Sequence, residues 1–296
     1  MTAWTWVAAA GLIALTATAL RAQVVTPFQL LDDEPENVYL TQPVPKTEQL
    51  INQGGVHFAL EVDYASAYMY RGIDQSTPPL RNEHSLQFDG RLTWDLGKLP
   101  HPFVGLFSNV FNNDPVSRFE EVRPYAGLEW SARPITVAAG FNGYIFPNRK
   151  GLDTQEIWVS ITANDSRFFH EAQAVLTPYV YGAYDFDKYD GFYLESGIKH
   201  DFVLGDTGVV LTAVGDFAYV AHHKYFFGTG PLAHATGFQH YDAGAILSYD
   251  IGRAVGVPLR YGQWIVKGYL YYTGPVEAGL RADSRIWGGV GMEFKY

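Results

Sequence analysis

The 296-residue chain contains no cysteine. Disulfides, thiolate metal centres and a lipid anchor on an N-terminal cysteine are thereby excluded. Positive charge is scarce as well: 21 Lys and Arg stand against 31 Asp and Glu, for a net charge of −10. Nucleic acid, whose binders need a basic patch, is not a partner of such a surface. After the first two dozen positions no apolar run reaches the ~18 residues that a membrane-crossing helix needs. Nor does any Gly-rich loop follow a strand and open a helix, so the phosphate-cradling signature of nucleotide binders is missing.

What the chain has in excess is aromatic residues and glycine: 20 Tyr, 19 Phe, 7 Trp and 30 Gly. That mixture suits many strands joined by tight turns. Residues 1–22 have the form of a signal peptide. An apolar run from Trp4 to Leu20 leads to small-residue sites that place cleavage after Ala19 or Ala22. No Lys or Arg precedes the run, so an uncleaved anchor is the other reading. Residues 23–55 are polar, carry Pro27, Pro35, Pro43 and Pro45, and include the acidic run Asp32, Asp33, Glu34 and Glu36. A flexible N-terminal segment on the periplasmic side is expected there.

From Val56 to Tyr296 a period of two dominates, which puts alternate side chains on opposite faces of a strand. The spacing predicts strands at 56–70, 85–96, 103–111, 119–130, 135–146, 154–162, 174–186, 192–204, 209–221, 238–251, 259–272 and 284–296. Twelve is an even number, and the three longest connections all fall on one side of the array. Short turns at one end and longer loops at the other are the pattern of a bacterial outer-membrane barrel. The fold expected is therefore all-β: a transmembrane antiparallel β-barrel of about 12 strands over residues 56–296.

The strand charges fall in the register opposite the aromatics. The expected pore lining is Glu61, Asp63, Arg71, Asp89, Arg91, Glu121, Arg123, Glu129, Glu156, Glu195, Lys199, Asp242, Lys267 and Arg285. Asp216 belongs to the same face, as do the bulky Tyr181, Tyr193, Trp158, Tyr261 and Tyr269. Aromatic girdles are expected at the two rims, with Phe103 and Trp130 at one and Tyr68, Tyr70 and Phe111 at the other.

Two stretches carry a family resemblance. The terminal strand alternates Ile286, Gly288, Val290, Met292, Phe294 and Tyr296 with Arg285, Trp287, Gly289, Gly291, Glu293 and Lys295, and it ends on an aromatic. It resembles the C-terminal signal of bacterial outer-membrane barrels, which the assembly machinery reads. The block Tyr64–Ser76, YASAYMYRGIDQS, closes the first strand on aromatic-x-aromatic-Arg-Gly and is similar to TorF-type porins. The resemblance implies a channel in the outer membrane of a Gram-negative-type bacterium. Its surroundings would be outer-membrane lipids and lipopolysaccharide, and its cargo small hydrophilic solutes or ions, with no cofactor.

Other chemistry has weaker support. His222, His223, His234 and His240 form the richest histidine region, but their spacing matches no defined metal site, so solvated loop histidines and no metal are expected. Ser66 or Ser85 with His84, and Ser248 with His240, lack a nucleophile elbow, and the chain is not expected to be an enzyme. The alternative to a channel is a barrel acting as a structural or adhesion scaffold, or as a lipid-modifying enzyme.

Overall fold

The computed structural model describes residues 55–75, 84–111, 119–132, 134–149, 151–170, 174–224 and 236–296. The signal peptide, nearly all of the 23–55 segment and His234 lie outside the described residues.

The strands, in chain order, are β1 (Val56–Ala65), β2 (Met69–Tyr70), β3 (Ile73–Asp74), β4 (Ser85–Trp94), β5 (His101–Phe111), β6 (Phe119–Ala132), β7 (Ile135–Tyr144), β8 (Thr154–Ala163), β9 (Tyr179–Asp185), β10 (Gly191–Val203), β11 (Val209–Ala221), β12 (Thr236–Asp250), β13 (Gln263–Pro275) and β14 (Arg285–Lys295). All but β2 and β3 close into a twelve-strand antiparallel barrel in the order β1-β14-β13-β12-β11-β10-β9-β8-β7-β6-β5-β4. The seam is the pairing of β1 with β14. Reciprocal backbone bonds between Phe58 and Tyr296, at 2.6 and 2.8 Å, extend it to the last residue. Closure leaves no unpaired edge, as a strand array in a hydrocarbon environment requires.

The polarity of the barrel is inside out. Leu92, Leu128, Ile157, Leu194, Leu270 and Val290 stand exposed on the outer surface, whereas Asp89, Arg91, Glu121, Arg123, Glu129 and Glu156 are buried within. A water-soluble protein puts these two classes the other way round. β5, which has apolar residues on both faces, resolves by size. Phe103, Phe107 and Phe111 fill the interior, and Val104 and Leu106 face out.

Several sequence expectations are corrected. The first strand does not run on to Tyr70; it stops at Ala65, and the chain turns into the barrel mouth. There β2 pairs with β3 in a two-stranded hairpin. Its turn uses Arg71 and Gly72, both at positive φ, 48° and 73°. Two consecutive left-handed residues are the demand of a type I′ turn, which Gly meets easily and Arg does not. Tyr68 is accordingly fully buried rather than part of a girdle, because its hydroxyl donates to Glu121 at 2.6 Å inside the barrel. Phe103 and Phe111 are likewise interior. Tyr261 is not in the lumen: the chain makes a helical turn at Leu259–Tyr261 before β13 begins, and the ring is exposed.

Candidate functional site: the barrel interior

The interior is built in layers. Near the end where β1 begins and β14 ends, Arg91 on β4 pairs with Glu129 on β6 at 3.1 Å, and its guanidinium lies 3.8 Å from the centre of the Phe103 ring. Beside it Tyr125 donates to Asp89 at 2.7 Å. On the seam side Lys267 of β13 pairs with Asp63 at 3.1 Å and also with Glu61. A stacked row of rings, Phe103–Trp158–Tyr181, with centroids 6.1 and 6.0 Å apart, crosses the middle.

The next layer is tied to the inward hairpin. Arg71 donates to Glu156 at 2.9 Å, and Glu156 also accepts from Asn142 at 2.8 Å and Tyr144 at 2.6 Å. Arg123 bonds to Glu121 at 2.6 Å and donates to the Tyr68 hydroxyl at 3.0 Å. The Arg71 guanidinium packs over the Tyr193 ring at 4.3 Å, a cation–π contact made in a dry setting. Opposite, Arg285 of β14 pairs with Asp74, while the Asp74 amide donates to the Asp283 carboxylate at 2.9 Å. Backbone groups fix the turn itself: Gln239 donates to the Arg71 carbonyl and the Asp283 amide to the Gly72 carbonyl, at 2.9 and 2.8 Å. A Cβ on Gly72 would come within 2.5 Å of the His240 ring, so glycine is required twice over at this position.

The expected lining residues therefore divide. Glu61, Asp63, Asp89, Arg91, Glu121, Arg123, Glu129, Glu156, Glu195, Asp242, Lys267 and Arg285 extend from barrel strands into the interior, with Lys199 near the Tyr179 ring at 5.7 Å. Arg71 reaches the same space from the hairpin and not from a barrel strand. Beneath the outer loops a cavity of about 20 Å³, room for one water, is lined by Tyr70, Arg71, Gln75, Tyr144 and His223 among others.

The histidines differ from the expectation of solvated loops. His223 is buried against Tyr189, with ring centroids 5.8 Å apart, and burial, helped by the nearby Arg71 charge, pushes its imidazole down to about 3. His240 lies in β12, fully buried on the same inward face as Asp242, next to the point where the β11–β12 register shifts between Ala218 and Tyr219. That bulge turns Gln239 inward beside His240, which strict alternation cannot anticipate. Of the serines considered for nucleophilic chemistry, Ser85 accepts from Gln87 at 2.8 Å and Ser66 from the Gly288 amide at 3.1 Å, and neither of these bonds involves a histidine.

No family model matches the chain, and no curated protein matches it. Solved structures similar to it include the KdgM porin (9% identity, TM-score 0.44, covering 80% of this chain and 99% of that one). The NanC porin is 11% identical with a TM-score of 0.44, over 81% of this chain and 100% of that one. An outer membrane channel from Pseudomonas putida F1 is 8% identical with a TM-score of 0.45, over 86% and 100%. So low an identity and so partial a superposition carry no function across.

Proposed function

We propose that the chain is an outer-membrane porin-like channel for passive diffusion of small hydrophilic solutes or ions, with the hairpin 66–75 as its constriction. The observation that carries this reading is the inside-out polarity: an apolar outer surface around an interior lined by charged and hydroxylated side chains. Barrels in lipid are built this way, and a polar interior lowers the barrier to hydrated solutes. A twelve-strand lumen is intermediate between barrels filled by side chains and those with an open channel. An element folded in from the loop end is therefore enough to set the bore. Carboxylates outnumber guanidinium and ammonium groups along the lining, which favours cations modestly, because paired charges cancel locally.

The YASAYMYRGIDQS block supports a TorF-type porin as the family. The strand ending at Tyr296 suits recognition by the barrel assembly machinery, and the outer surface suits lipid and lipopolysaccharide. Enzymatic activity forms no part of this reading. The test is ion conductance of the purified barrel in planar bilayers, compared with a variant in which residues 67–75 are replaced by a Gly-Ser linker. The variant is expected to conduct several-fold more.

A further inference from the structure

One group of side chains in the interior is not accounted for by the ion pairs that hold the hairpin. Asp216 on β11 and Asp242 on β12 are directly opposite in the ladder, both buried, with like charge. Like charges facing across a ladder repel, and the low dielectric of a barrel interior magnifies the cost. Two residues along β12, His240 places its Nε2 3.2 Å from Asp242 Oδ2, and one ligand atom from each of the three lies within 4.8 Å of the others. Glu195 on β10, opposite Ala218, adds a third carboxylate, steadied by hydroxyl donors from Tyr193 at 2.7 Å and Tyr179 at 2.9 Å. Tyr179 also reaches Asp216 at 3.3 Å.

Lysine and arginine do not neutralise the two aspartates. Among the described residues neither Asp216 nor Asp242 pairs with lysine or arginine. Arg71 is committed to Glu156, and the Lys199 ammonium sits over the Tyr179 ring at 5.7 Å. Neither oxygen of Asp242, which is 2% exposed, accepts a well-formed hydrogen bond, and neither ring nitrogen of the fully buried His240 makes one. Buried charges in proteins are paired or coordinate metals. An imidazole facing two carboxylates is also the donor chemistry of a metal centre.

The geometry points to a divalent-cation site at Asp216, His240 and Asp242, with Glu195 as the adjoining carboxylate. One imidazole with carboxylate oxygens and no thiolate selects a first-row ion of the zinc class, since magnesium and calcium prefer all-oxygen sets. Metal–ligand bonds of ~2.1 Å at tetrahedral angles need ligand atoms about 3.4 Å apart. The present ligand atoms, within 4.8 Å of one another, would have to draw together on binding. The site lies directly beneath Gly72, whose missing Cβ leaves room for the His240 ring. A bound ion therefore sits under the turn of the constriction, whatever solute the barrel passes.

The test uses the full barrel in detergent, stripped with chelator and then titrated with Zn²⁺ and Co²⁺. One tight equivalent is expected, and its X-ray absorption should show a single imidazole among oxygen ligands. His240→Gln and Asp242→Asn are each expected to weaken binding by about tenfold or more, with heat-modifiable gel migration confirming that they fold. His222→Ala is expected to leave binding unchanged. The proposal is overturned by no stoichiometric binding to the native barrel, which would leave a proton shared among the carboxylates. It is equally overturned by a first shell with two or more imidazoles, or by folded variants that bind as the native barrel does. Because the absorption spectrum of the native barrel needs no substitution, it decides the matter even if both variants misfold.

Discussion

Single residues inside this barrel carry unusually large consequences because their charges have no water to fall back on. Arg91 and Glu129 are 1% and 2% exposed, so truncating one leaves the other's charge buried without this ion pair. Arg91→Met is expected to cost roughly 3–5 kcal/mol, and adding Glu129→Gln should recover most of that loss, as read by urea unfolding in lipid vesicles. His223 gives a pH signature of its own. Its folded value, about 3, lies below the ordinary 6.5, so the unfolded chain binds a proton that the folded loop refuses. Stability from this residue is whole above pH 6.5 and falls as the pH drops from there toward 3. His223→Asn should remove that part of the acid sensitivity, so that the native and variant stability curves diverge below pH 6.5 and run parallel above it. Equal slopes across that window would refute the assignment.

At the scale of strands and turns, the sequence was legible wherever alternation was strict and lost wherever the chain left it. Ser85–Trp94 could be read because it has one face dominated by Leu and aromatic residues and one dominated by acid, amide and hydroxyl groups. The hairpin was hidden because Tyr68 and Tyr70 continue the period-two pattern of β1, and partners distant in sequence, such as Glu121 and Tyr144 over fifty residues away, draw them inward. The bulge at Gln239–His240 was hidden for a related reason: one extra residue flips the faces without leaving a local mark. Thus the inward charges of the strands, Asp216 and Asp242 among them, follow from alternation, whereas the hairpin and the inward turn of Gln239 do not. The outward face of a strand offers a direct test of the lipid reading. Leu270 is 63% exposed at mid-strand in β13. Leu270→Arg is expected to cost about 2–4 kcal/mol in vesicles, whereas the same change on a water-facing sheet is nearly free. A cost below ~0.5 kcal/mol would place that surface in water.

For the whole molecule, the defining relation is between a closed strand cylinder and the short element folded into its mouth. The cylinder supplies the apolar exterior and the polar interior, while the hairpin, clamped by Arg71–Glu156, Tyr68–Glu121 and Arg285–Asp74, fills the space the strands leave. Loosening that clamp should widen the route without unfolding the barrel. Gly72→Val, which drives a side chain into His240, is expected to raise conductance while heat-modifiable migration is kept. The most direct measurement is single-channel current through the native barrel and through the variant with residues 67–75 replaced by a Gly-Ser linker, in planar bilayers with a salt gradient. A small, mildly cation-preferring conductance in the native protein and a several-fold larger one in the variant is the predicted result. Silence from both proteins under every voltage and salt tested would contradict the channel, and equal currents from the two would contradict the hairpin as its constriction.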